Sequence, residues 1–131
     1  VWKMPLTYVL AMTAATMWFV GSAGVPVIEN GIAVSLLLLG LVLALAVKMP
    51  AIIGTFAVGT FAAFHGAAHG VEMTAAVSPV NYVTGLVMAT ALLHAASVLA
   101  GSMSRRGITA KILRLVGAAI AGAGGLLLLA S

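Results

Sequence analysis

The chain has 131 residues, of which 63% are hydrophobic and 6% charged, with a formal net charge of +4 and a mean hydropathy of +1.26. A soluble domain carries roughly 25% charged residues, so this chain cannot cover a water-facing surface. The absence of cysteine excludes disulfides, thiolate metal sites and cysteine nucleophiles, and the scattered basic residues form no aromatic-interleaved patch for nucleic acid.

In a lipid bilayer the same composition is the correct exterior. A spanning helix needs about 20 mostly apolar residues, and five such stretches follow one another. The chain opens Val1-Trp2-Lys3-Met4-Pro5 without an initiator methionine or a visible signal peptide. A processed product, or a missing N-terminal piece, is expected. The first helix is predicted over 4–22, with Pro5 in its first turn, where the missing N–H costs nothing. Gly24-Val25-Pro26 breaks the chain. The second is predicted over 28–47, stopped by Lys48-Met49-Pro50, and the third over 51–71. Ser78-Pro79 separates it from the fourth, over 80–101. The most polar loop, with Arg105 and Arg106, precedes the fifth, over 108–130. The runs are continuous and do not alternate with a period of two, which favours helices over a β-barrel. The expected fold class is all-α: one polytopic transmembrane helix bundle over residues 1–131.

If the segments alternate across the bilayer, Lys3, Lys48, Arg105, Arg106, Lys111 and Arg114 share one side. Glu29 and Glu72 share the other. This is the positive-inside pattern. It places the N-terminus in the cytoplasm and the C-terminus outside, and it supports the count of five. The many glycines, Gly54, Gly59, Gly66, Gly70, Gly85 and the 121–125 run among them, are expected to let helices approach closely. Trp2 and Trp18 fit interfacial belts; Tyr8 and Tyr82 lie near helix ends or one to two turns inside. Met12, Met17 and Met88 are expected to fill the core. Ser35, Thr55, Thr60, Thr84 and Thr90 are expected to bond their own backbone or to line a pore.

The third stretch contains the chemistry. His65, His69 and Glu72 stand at i, i+4 and i+7, one face of a helix. Imidazole and carboxylate suit a borderline divalent cation such as Ni²⁺, Co²⁺ or Zn²⁺. The bland reading is that these histidines bond neighbouring helices. The functional reading rests on the rarity of ionisable groups within membrane spans. A zinc protease would need glutamate directly after the first histidine, where Gly66 stands, so an enzyme is not expected. His94 is a lone histidine on the fourth stretch, a ligand or an interhelical bond. Counting residues from the helix ends puts His94 ~12 Å nearer the cytoplasm than His65. Glu72, His69, His65 and His94 would then form a descending ladder of weak sites, as a permeation path requires. Glu29 is either a first-turn carboxylate facing its helix dipole or part of a cation-attracting mouth.

Phe64-His65-Gly66-Ala67-Ala68-His69-Gly70-Val71-Glu72 resembles the F-H-G-x-x-H-G-x-E signature of the HupE/UreJ family of hydrogenase and urease accessory membrane proteins. Gly85–His94 looks like its G-x-x-x-A-T-A-x-L-H signature, and Glu29–Ser35 is similar to its E-x-G-I-A-x-S segment. The resemblance covers essentially the whole chain. It implies a nickel permease, cobalt in some members, serving metalloenzyme maturation, with His65, His69, Glu72 and His94 as functional residues and Glu29 behind them. Family members usually begin with a cleaved signal and a helix bearing an H-P-x-x-G-x-D-H-type segment. No such segment stands here, so a sixth, N-terminal helix is expected to be missing.

The expected function is movement of Ni²⁺ or Co²⁺ through a bacterial inner membrane toward the cytoplasm. The ion is cargo, and no tightly bound cofactor is expected. The partners are the lipid bilayer, the divalent ion, and further copies or a larger membrane complex. The rivals are a structural small subunit of such a complex, and a metal- or haem-binding membrane subunit.

Overall fold

The computed structural model describes residues 2–24, 26–73, 78–103 and 108–130. Among them the chain forms helices α1 (Lys3–Phe19), α2 (Pro26–Ala44), α3 (Ala51–Glu72), α4 (Pro79–Met103) and α5 (Ile108–Ala130), and no strand. Proline sets the starts. Pro26 and Pro79 open α2 and α4, and Pro50 caps α3, positions where a fixed φ helps and no N–H is needed. The bundle is all-α, as expected, and the boundaries fall within about one turn of the sequence estimate.

The first helix differs. α2, α3, α4 and α5 are each long and apolar enough to cross a membrane. α1 has 17 residues and is not among these four. It stops at Phe19 because Val20 turns extended (φ −55, ψ 124) and Gly21 takes a left-handed φ of 72. At 1.5 Å per residue α1 is about 25 Å long, the short end of the spanning range. The outer surface is lipid-like: Leu10, Phe56, Leu92 and Leu129 are all exposed, as are Trp2 and Trp18 near the ends of α1. Met12 is buried as expected. Met17 and Met88 are not core residues but stand 54% and 61% exposed, because α1 and α4 each have an unshared face.

Glycine decides which helices pair. A Cβ on Gly66 would strike the Met12 carbonyl, and one on Gly70 the Thr16 carbonyl. Gly54 lies against Met4 and Gly59 against Thr7. Both partners advance together, so α1 and α3 pack parallel. Gly40 lies on Gly117 and Ala121, while Gly124 lies on Ala33 and Leu37. Here one partner advances as the other retreats, so α2 and α5 pack antiparallel. Close backbone approach at small residues is how helices associate where lipid is as apolar as leucine. Gly31 against the Phe64 ring, and Gly24 just before α2 against Val71, join α2 to α3 antiparallel; α4 leans mainly on α1. These directions agree with five alternating passes. They gather Lys3, Lys48, Lys111 and Arg114 at one end and Glu29 and Glu72 at the other. Arg105 and Arg106 lie outside the described residues.

The end of α2 is locally strained. Ala46 has φ 51, its N–H donates to the Leu43 carbonyl (3.2 Å), and the Val47 N–H donates to the Val42 carbonyl (3.0 Å). This is a Schellman closure with alanine where glycine fits best. Ala46→Gly is expected to raise stability by about 0.5–1 kcal/mol. A thermal melt in detergent checks this; a lowered melting temperature contradicts it.

Candidate metal site

His65 and His69 sit half-buried on α3, His94 half-buried on α4, and Glu72 exposed at the last residue of α3. The motif glycines explain why. Gly66 and Gly70 bring α3 onto α1, which leaves the neighbouring histidines beside the crossing. There they meet Tyr8. Its ring centroid lies 6.2 Å from that of His65 and 4.8 Å from that of His94. Tyr8 is a residue that sequence reasoning missed. Its signal was an aromatic one to two turns inside a helix.

The histidine tautomers follow from their partners. His65 Nδ1 donates to the Phe61 carbonyl at 3.0 Å, and His94 Nδ1 to the Thr90 carbonyl at 2.8 Å. A carbonyl can only accept, so Nδ1 carries the proton and Nε2 of the neutral ring keeps its lone pair. Metal-ligating histidines use this arrangement: one nitrogen held by the protein, the other free. His69 Nδ1 pairs instead with the Tyr82 hydroxyl at 3.1 Å, and the two rings meet edge to face. This contact ties the outer end of α3 to the start of α4.

His65 and His94 stand closer in depth than residue counting places them. His94 contacts Tyr8 across the antiparallel α1–α4 pair. Gly66 lies on Met12, so the adjacent His65 sits about one turn beyond Tyr8 on the parallel α1–α3 pair. The two histidines therefore differ in depth by roughly 5 Å, not ~12 Å. Counting from helix ends fails because it sets the starts of α3 and α4 ~30 Å apart, whereas these helices have 22 and 25 residues and overrun that layer. The descending order Glu72, His69, His65, His94 is kept, with its last step compressed.

Among the described residues no three histidine, aspartate or glutamate side chains gather closely enough to hold one ion. Each level offers one imidazole. Glu29 stands apart: it is exposed in the first turn of α2, at a shallow cavity of about 310 Å³ shared with Leu127 and Ala130 of α5. Ser35, Thr60 and Thr84 bond their own helix backbones, to Ile32, Phe56 and Val80. Thr90 does not; its hydroxyl points to the Met12 sulfur at 3.7 Å, so it joins α4 to α1 one turn from His94.

Three sequence motifs thus converge on one set of packing contacts. Gly66 and Gly70 seat on α1, Phe64 covers Gly31, and Thr90 and His94 reach Met12 and Tyr8. The profile described as HupE / UreJ protein matches residues 1–127. The chain is 32% identical over 128 residues to "Protein HupE" of Rhizobium leguminosarum bv. viciae, covering 98% of this chain and 67% of that relative. No solved structure matches. Motifs, span and relative agree: this multi-pass membrane protein belongs to the HupE/UreJ family of hydrogenase and urease accessory proteins.

Proposed function

We propose that this chain passes a divalent transition-metal cation, Ni²⁺ first and Co²⁺ second, through the bacterial inner membrane toward the cytoplasm for metalloenzyme maturation. The observation that carries the proposal is the pair His65 and His94, each with Nδ1 held by a backbone carbonyl and Nε2 left to bind, and both beside the ring of one tyrosine. Glu72 and, more remotely, Glu29 attract the ion at the acidic end. His69 and His65 take it after partial dehydration, and His94 receives it one turn deeper. One imidazole per level, without a closed cage, binds weakly enough to release. The basic end faces the cytoplasm, so the N-terminus of this chain lies inside and the C-terminus outside. The five helices act as one domain. The ion is substrate, no resident cofactor is required, and no bond is made or broken. The haem-subunit alternative is disfavoured because the Tyr8 ring packs against both histidines that would have to face a porphyrin. Further copies or a larger membrane complex are the protein partners of this reading.

Calorimetry of the purified full chain with Ni²⁺, Co²⁺ and Zn²⁺ tests the proposal. Wild type is expected to bind in the micromolar range. His65→Ala/His69→Ala is expected to lose affinity on the order of 10- to 100-fold or more. A folded wild type that binds none of the three ions overturns the metal site and favours a structural subunit.

A further inference from the structure

α5 carries Lys111 and Arg114 in its first two turns, three residues apart and so on one face. The antiparallel α2–α5 crossing brings these turns beside the end of α2. There the Schellman closure occupies the Val42 and Leu43 carbonyls, and Leu45 N–H takes that of Leu41. The Ala44 carbonyl is left over, one of the helix-end acceptors without an intrahelical donor. Arg114 Nε donates to it at 3.1 Å. This bond uses one of five guanidinium N–H groups and holds the side chain in place. The other four and the Lys111 ammonium have no hydrogen-bond partner among the described residues.

Both cations border a cavity of about 450 Å³ floored by Ala44, Leu115 and Ala118. Arg114 also borders a second groove of about 550 Å³, lined by Leu39, Val42, Leu43 and Leu113. Lys111 and Arg114 lie roughly 5–9 Å along α5 from its start, a depth from which long basic side chains reach the headgroup region. Neither carboxylate is near: Glu29 is in the first turn of α2 and Glu72 ends α3, at the opposite end of the bundle.

We propose that this end of the α2–α5 pair binds an anionic phospholipid, its phosphate between Lys111 and Arg114 and an acyl chain in the apolar groove beside them. Two cations, one of them pre-positioned by a backbone carbonyl, match a phosphate diester. The adjoining apolar groove matches what a lipid has and free phosphate lacks. Basic pockets between membrane helices bind anionic headgroups in this way. The inference is independent of the permease reading, since it uses none of the histidines.

Native mass spectrometry of the full chain, released from micelles doped with phosphatidylglycerol or phosphatidylcholine, tests it. Wild type is expected to retain one phosphatidylglycerol in preference to phosphatidylcholine. Lys111→Gln, which removes no helix-capping bond, is expected to lower that retention about fivefold. Lys48→Gln should change it little, because Lys48 shares the end but lines neither cavity. Four results would overturn the site: no headgroup preference, a folded Lys111→Gln with unchanged retention, an equal loss in Lys48→Gln (diffuse surface charge only), or full displacement by millimolar inorganic phosphate (a free-anion site).

Discussion

Gly66→Leu is expected to leave little folded protein. The Gly66 Cα rests on the Met12 main chain, and even a methyl group there would meet the Met12 carbonyl. That carbonyl cannot move freely, because it also accepts the buried Thr16 hydroxyl at 2.9 Å. Overpacking of this kind typically costs about 1–3 kcal/mol even where side chains can adjust, and here the obstacle is backbone. Helices α1 and α3 would separate, taking Tyr8 away from His65. Gly122→Leu is the matched control, because nothing lies within 4 Å of a Cβ at Gly122. Size-exclusion profiles and melts in detergent compare the two. Equal behaviour would show that the α1–α3 contact does not hold the bundle together.

Tyr8→Ala is expected to cut cellular Ni²⁺ uptake about tenfold, the range seen when groups that orient metal ligands are removed. The prediction rests on the permease reading. The phenol ring contacts both histidines, so its loss frees two imidazoles from their settings while leaving their backbone bonds intact. Tyr8→Phe keeps the ring and should stay within about twofold of wild type if orientation is the role. A Tyr8→Phe as poor as Tyr8→Ala would assign the effect to the hydroxyl. Uptake unchanged in Tyr8→Ala would remove Tyr8 from the path.

Continuous apolar runs made the helices legible, and proline marked where α2, α3 and α4 begin. The charges gave an alternation of helix direction, and the α2–α3, α2–α5 and α1–α4 contacts are antiparallel in keeping with it. The histidines could be named because ionisable groups stand out against leucine and alanine. Two things could not be read. The pairing of α1 with α3 and of α2 with α5 depends on which glycine meets which carbonyl, and a composition rich in glycine allows many such matches. Tyr8 was invisible for the same reason: an aromatic inside an apolar helix looks like any lipid-facing ring until the partner helices are known. The depth of His94 relative to His65 failed because counting sets the helix starts one hydrocarbon thickness apart, and α3 and α4 are longer than that.

The parallel α1–α3 pair bears on how the protein is made. Chains enter the membrane in order, yet α1 finds its main partner only after α2 has passed, and α2 finds its larger one only with α5. Successive hairpins therefore supply only the smaller α2–α3 contact. Until α5 arrives, α2 waits in lipid with Gly40 uncovered, although Phe64 of α3 already covers Gly31. The histidine-bearing half can close once α4 has arrived, whereas the larger contact of α2 waits for α5. A chain cut before α5 would thus hold its three histidines in place and still present the bare Gly40 side of α2 to quality-control proteases. Turnover of truncated forms, more than their metal chemistry, would reveal what α5 contributes.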